Sequence, residues 1–255
     1  MKVTDYIKNR KNTIFSFEII PPLKGKGIED ICKGIDPLME FNPPFINVTY
    51  HREEYEYKKM GNGLLKKVSV RKRPGTVGIC ASLMNRYKVD AIPHIICGGF
   101  TKEETESALI DLKFLGVDNI LALRGDPMKN ESSFVPVDGG NTYALNLIEQ
   151  IKEMNDGQYL YEETKNSPSN FCIGTAGYPE KHFEAMNLNS DLKNLKKKQA
   201  FDFYLRRGIE NPPVGDKYDV KAENHYLDKY QVTGADLKGL SNETKKVFLK
   251  NLPNI

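Results

Sequence analysis

Apolar residues gather in five short runs, each followed by polar or glycine-rich residues: IFSFEII (14–20), FINVTY (45–50), IPHIIC (92–97), NILALRG (119–125) and FCIGTAG (171–177). Runs this continuous suit strands covered on both faces, as in a parallel sheet, better than strands with one wet face. Helical spacing fills the intervals. In GIEDICKGIDPLMEF (27–41), Ile28, Ile31, Ile35 and Leu38 recur at helical intervals until Pro37 kinks or ends the helix. TVGICASLMNRY (76–87) reads as a helix with Thr76 as N-cap after Pro-Gly. In TKEETESALIDLKFLG, Thr101 and Glu104 make a capping box. Leu109, Leu112 and either Leu115 or Phe114 form its apolar stripe, and Gly116 stops it. YALNLIEQIKEM (143–154) and DLKNLKKKQAFDFYLRR (191–207) read as two further helices.

Strand alternating with helix predicts an α/β fold with a parallel sheet, either open or closed. Residues with usable chemistry fall at the C-terminal ends of the strands: Glu18, Thr49, His94 to Cys97, Arg124 to Asp126, and Tyr178. Five strand ends feeding one site point to a (βα)8 barrel of the TIM type, because an open sheet concentrates its ligand at one crevice. DGQYLYEETKNSPSN (156–170) lacks periodicity and predicts a surface excursion. Beyond about residue 208 the strand-helix rhythm stops. The expectation is one domain over 1–255 whose barrel is incomplete or rearranged in an atypical region, 199–255.

Composition narrows the function classes. With 255 residues, 39% hydrophobic and 28% charged, the chain can bury a sizeable core. A net charge of +3 with no concentrated basic stripe argues against nucleic acid as partner. The densest basic stretch, KKVSVRKRPG (66–75), reads as solvated surface before a turn. Cys32, Cys80, Cys97 and Cys172 lie far apart without metal-ligand spacing, so reduced thiols are expected and no metal. With no signal-peptide core and no long apolar run, a cytoplasmic protein off the membrane is expected.

The chemistry starts from FSFEIIPP (15–22), where Glu18 interrupts an apolar strand that Pro21 and Pro22 then end. A carboxylate so placed must be paired, protonated or at the mouth of a site, because burying it unpaired costs several kcal/mol. LALRGDP (121–127) delivers a cation, a bare backbone and a carboxylate at one strand end. Arg124 can fork onto a phosphate or carboxylate, Gly125 permits close approach, and an internal Arg124–Asp126 pair is the plainer alternative. His94 is either a ring-facing donor or a satisfied core histidine. Thr49 and Tyr50 offer a hydroxyl and an aromatic face, though such residues are common in strands. Tyr178 and His182 precede a helix whose Lys196, Lys197 and Lys198 either face solvent or meet a pyrophosphate. There is no phosphate-binding glycine loop, dinucleotide fingerprint or nucleophile elbow.

Together FSFEIIPP, NVTYHR, PHIICGGFT, ILALRGDP, YALNLI and GTAGYPEKHFEA…DLKNLKKK resemble the methylenetetrahydrofolate reductase family, in matching order over roughly residues 1–198. The resemblance implies a (βα)8 barrel whose FAD carries hydride from NAD(P)H to 5,10-methylenetetrahydrofolate, giving 5-methyltetrahydrofolate for methionine supply. It implies Glu18 as catalytic acid, protonating the departing ring nitrogen, with apolar burial favouring its proton-bearing form. Thr49 matches a nicotinamide-contacting position. Flavin contacts fall on Tyr50, Arg52, His94, Arg124, Gly125, Asp126, Tyr143 or Ala144, Tyr178, His182, Ala185, Asp191, Asn194, Lys197 and Lys198. Asp126 would sit near the flavin ring and the folate. There its charge disfavours extra electron density on the reduced flavin. Lys197 replaces an arginine of some members, keeping charge but losing the fork.

After the lysine-rich helix, the family has a sixth strand ending in a Thr-Gln-aromatic-aromatic-Asp motif. Here LKKK runs into QAFDFYLRRGIENPP, as though that strand were deleted, and no matching Gln can be assigned. The alternative reading is therefore a degenerate flavin-binding protein without turnover; another flavin barrel oxidoreductase, such as a proline dehydrogenase relative, is a third. An open five-strand barrel would expose strand edges, which favours a homo-oligomer.

Overall fold

The computed structural model describes residues 1–61, 63–128, 131–177, 181–182, 184–197 and 203–206; for 192, 195–197 and 203–206 only the backbone is described. The chain divides into two units, Met1–Asn9 with Ile14–Leu205, and Arg10–Thr13 with Arg206–Ile255. The account that follows concerns the first.

All five expected strands form: β1 (Phe17–Ile19), β2 (Phe45–Val48), β5 (Asp90–Ile96), β6 (Asn119–Leu123) and β7 (Cys172–Gly177). Within this sheet, neighbouring strands from β1 to β7 pair in parallel. With β8 (Phe203–Arg206), they make one sheet in the order β1-β2-β5-β6-β7-β8. The order rises along the chain without reversal. A doubly wound sheet reverses at a switch point, so this is the stave order of the barrel class.

β8 corrects two expectations. The helix foreseen over 191–207 is α6 (Leu188–Lys197), which stops before that segment ends. Strand geometry resumes at Phe203, so a sixth strand stands where a deletion was inferred. Aromatic residues in FYLR suit a strand, and the lysine run upstream had extended the apparent helix beyond its real end.

The near-continuous apolarity of the strands has a direct cause. Ile46, Val48 and Ala91 face α2 (Ile28–Ile35) and α3 (Thr76–Tyr87), against Ile31, Ile35, Ile79 and Leu83. Ile95, Ile120, Ala122 and Ile173 meet Leu109 and Leu112 of α4 (Lys102–Phe114) and Leu147, Ile148 and Ile151 of α5 (Ala144–Asn155). The alternate residues Phe45, Ile92, Ile96, Leu121, Leu123 and Cys172 pack together on the other face. Val3 of α1 (Val3–Asn9) joins them, its backbone N–H donating to Asn119 Oδ1 at 2.8 Å.

Helix boundaries follow the chemistry with small corrections. Pro37 opens a 3-10 helix (Asp36–Phe41) directly after α2. Gly75, not Thr76, is the N-cap of α3. The capping box of α4 forms, Thr101 N–H donating to Glu104 Oε2 at 2.9 Å and Glu104 N–H to Thr101 Oγ1 at 3.2 Å. Its stripe continues to Leu115, whereas Phe114 is 89% exposed. Gly116, at φ +77°, turns the chain out of the helix. Segment 156–170 is the expected irregular excursion.

One element was missed. β3 (Glu54–Lys59) and β4 (Leu65–Val70) form a separate antiparallel hairpin after β2. Its charges do face solvent, as expected of 66–75, but on strands. EYEYKK and KKVSV about GNG carried the alternation and turn residues of a hairpin.

All four cysteines are buried and none forms a disulfide, and burial pushes the Cys80 thiol up to about 12. A thiol-specific reagent at neutral pH is therefore expected to label none of them in the folded chain and all four in denaturant. A thiol that reacts rapidly in the native protein would contradict this placement. Among the described residues, no helix is long and apolar enough to cross a membrane, and no cluster of His, Cys, Asp and Glu could hold a metal ion.

Candidate active site

Glu18 stands on β1 beside Asn47 of β2, while its neighbours Phe17 and Ile19 turn to the opposite face. Phe17 packs on Phe41, with ring centroids 5.9 Å apart. The Glu18 side chain is 47% exposed, which corrects the expectation of a buried acid. A strand of three residues brings Glu18 to the end of the sheet, where it reaches solvent. Of the three ways to accommodate this carboxylate, the geometry uses pairing and a place at the mouth. Thr49 Oγ1 donates to Glu18 Oε1 at 2.9 Å, and Thr49 N–H donates to Ile19 O at 3.0 Å. Glu18 Oε2 lies 3.9 Å from Nε2 of His94, which is 1% exposed on β5. That spacing is proximity rather than a hydrogen bond. Glu18, Thr49 and His94 thus form one group across three neighbouring strands.

A second group lies at the ends of β5 and β6. Gly98 N–H donates to Arg124 O at 3.3 Å, joining the two strand exits. Gly125 takes φ +86°, and a Cβ there would meet Ile96 Cδ1 at 3.3 Å, so a side chain would be both strained and crowded. Arg52, only 12% exposed, lies against Gly98 and pairs with Glu131 Oε2 at 3.2 Å. Glu131 also accepts from Met128 N–H at 3.0 Å, which folds the turn after β6 back towards Arg52.

The third group is segment 181–191. His182 N–H donates to Asp191 Oδ2 at 2.7 Å, Ala185 N–H to His182 O at 2.9 Å, and Lys181 Nζ to Ala185 O at 2.8 Å. Glu184 ties this group to the second. Its carboxylate accepts a two-point fork from Arg124, Nη1 to Oε2 at 2.5 Å and Nη2 to Oε1 at 2.9 Å. The hydrogen bonds from Arg124 hold the Glu184 carboxyl below its usual range. The fork of Arg124 therefore meets a carboxylate, as one reading allowed, but that of Glu184; Asp126 is exposed.

The remaining positions are less connected. Tyr50 packs on Phe100, with centroids 5.0 Å apart, and burial raises its phenol. Tyr143 is the N-cap of α5 and 60% exposed, while Ala144 is buried beneath it in sequence. Asn194 is exposed on α6, and the backbone of Lys197 ends that helix. Tyr178 and Lys198 lie outside the described residues. Sequence reasoning missed Glu131 and Glu184. Glu184 sits inside the quoted GTAGYPEKHFEA run and could have been considered; PMKNESSF offered no signal for Glu131.

A cavity of about 600 Å³ reaches from Tyr50 and His94 to the N-terminal ends of α3 and α4, bounded by Arg71, Thr76 and Thr105. It touches the first group but not Arg124, so it is not the whole of the candidate site.

The family model for methylenetetrahydrofolate reductase matches residues 2–201. Methylenetetrahydrofolate reductase (NADH) 1 of Arabidopsis thaliana is 31% identical over 210 residues, covering 78% of this chain and 31% of the relative. Methylenetetrahydrofolate reductase 2 of Saccharomyces cerevisiae is 29% identical over 246 residues, covering 93% and 35%. The 5,10-methylenetetrahydrofolate reductase of Escherichia coli K12 is 30% identical over 225 residues, covering 88% and 61%. This chain thus spans from 31% to 61% of the length of these relatives. Among solved structures, a Clostridium thermocellum protein described as binding two copies of 5-methyl-5,6,7,8-tetrahydrofolic acid covers 89% of this chain and 62% of its own. That protein is 14% identical to this chain, with a TM-score of 0.43. The family match over most of the chain, on a parallel sheet in barrel order, means that this chain belongs to the methylenetetrahydrofolate reductase family.

Proposed function

We propose that this chain reduces 5,10-methylenetetrahydrofolate to 5-methyltetrahydrofolate with electrons from NAD(P)H, using FAD. The observation that carries the reading is the Glu18–Thr49 pair, an exposed, oriented carboxyl at the mouth of a barrel strand.

The donor set fits a flavin dinucleotide in kind. Arg52 and Arg124, each paired with a carboxylate here, would supply cations for phosphates, beside the apolar core of Ile96, Leu121 and Leu123. Tyr50, His94, Gly125, Asp126, Tyr143, Ala144, His182, Ala185, Asp191, Asn194 and the lysines at 197 and 198 would share in holding it, with Tyr178. When bound, a flavin supplies two-electron hydride chemistry between nicotinamide and folate.

The chain's own part is the proton. Glu18 Oε1 is engaged by Thr49, which leaves Oε2 as the oxygen to bear a proton. A substrate bound over this exposed face would meet that oxygen directly. Proton transfer from Oε2 to the departing ring nitrogen then opens the five-membered ring. Thr49 fixes the carboxyl in that orientation.

The test is anaerobic stopped-flow of both half-reactions on the purified chain. The expected result is a yellow protein that NADH or NADPH bleaches and methylenetetrahydrofolate reoxidises. Bleaching without reoxidation would favour the flavin-binding protein without turnover. A colourless chain unable to take up FAD would defeat both readings.

A further inference from the structure

Arg124 is held from three sides. Its carbonyl accepts from Gly98 N–H, its guanidinium carbon lies 5.2 Å from the Phe134 ring centroid, and its fork closes on Glu184. The fork engages two of the five N–H donors a guanidinium carries. A carboxylate at one edge and a ring at one face together set the plane and the direction of the cation.

Glu184 does more than neutralise a charge. It comes from a segment knitted within itself by the His182–Asp191, Ala185–His182 and Lys181–Ala185 hydrogen bonds. Its own backbone N–H donates to His182 Nδ1 at 3.2 Å. The fork consequently joins two elements 60 residues apart in sequence, the exit of β6 and segment 181–191. Both carry positions that the functional reading gives to the cofactor.

We propose that Glu184 is a positioning residue, which sets the Arg124 guanidinium and locks segment 181–191 to the β6 exit so that both face one flavin nucleotide. The proposal rests on the reading of this chain as a flavin enzyme. It differs from a competitor role, in which the carboxylate would merely occupy the place of a phosphate and its loss would tighten binding.

The test is FAD titration of the full chain, read by flavin fluorescence, for wild type, Glu184→Ala, Glu184→Gln and Glu184→Asp, each repeated in an Arg124→Ala background. In the Arg124-containing chain, Glu184→Ala is expected to weaken FAD about ten-fold, a modest figure because the pair is partly exposed. Glu184→Asp, which keeps the charge, should recover part of that loss. In the Arg124→Ala background, Glu184→Ala should cost little more, because the interaction is already gone. Acidity gives a further readout. A carboxyl lowered by its partner contributes above its ordinary range and loses that contribution as pH falls through the lowered value. Wild-type affinity should therefore fall in that acidic window by a step that Glu184→Gln lacks. Unchanged or tighter binding in Glu184→Ala, or equal losses in both backgrounds, would overturn the proposal. A wild-type chain that takes up no FAD overturns the functional reading and this proposal with it; tight wild-type binding left intact in Glu184→Ala overturns the proposal alone.

Discussion

Glu18→Gln is expected to leave reduction of the bound flavin by NAD(P)H nearly unchanged while slowing its reoxidation by methylenetetrahydrofolate by about 10²- to 10⁴-fold, the usual worth of a positioned general acid. The substitution is conservative in shape. A Gln amide oxygen can still accept from Thr49 Oγ1, which now donates to Glu18 Oε1 at 2.9 Å, so the side chain should keep its orientation. What it loses is an oxygen able to carry and release a proton. The two half-reactions differ in whether a ring nitrogen must be protonated, so only the second should suffer. Measured separately under anaerobic conditions, equal loss in both would remove Glu18 from the role of acid. Thr49→Val removes the donor that orients the carboxyl and should slow reoxidation too, but less than Glu18→Gln; as Thr49 also matches a nicotinamide-contacting position, some slowing of flavin reduction is expected with it.

The second large effect is structural. Leu112→Ala is expected to cost about 2–5 kcal/mol of unfolding free energy, the range for emptying a fully buried leucine site. Leu112 is 0% exposed and packs where α4, α5 and the outer faces of β5, β6 and β7 meet. Neighbours from several elements cannot all collapse into the gap, so the cavity should persist. Denaturant unfolding checks the value, and a loss under about 1 kcal/mol would mean that the site relaxes more than close packing allows. Phe114→Ala, two residues along the same helix, is the contrast. That ring is 89% exposed, and its removal should change stability by no more than about 0.5 kcal/mol.

The pair Leu112 and Phe114 also marks how far pattern reading reaches. Spacing left Leu115 and Phe114 as alternatives for the stripe, and only the docked helix chose Leu115. The hairpin was legible, because EYEYKK and KKVSV alternate about a glycine turn, yet its charge density masked it. In QAFDFYLRR the upstream helix seemed to run on, although the strand begins at Phe203. Both errors arise where a short strand carries charges that also suit an exposed helix or loop.

The sequence by itself determined the five strands, the burial on both faces of all but β1, the capped helix after Thr101 and the placing of reactive residues at strand ends. Each follows from local periodicity, which records backbone hydrogen bonding and the faces removed from water. Only the tertiary structure decided that Glu18 is exposed and held by Thr49, that Arg124 turns to Glu184 rather than Asp126, and that Arg52 turns to Glu131. Those pairings span 31, 60 and 79 residues. They are set by strand register and by where each loop returns to the sheet, and no local spacing in the chain encodes such distances.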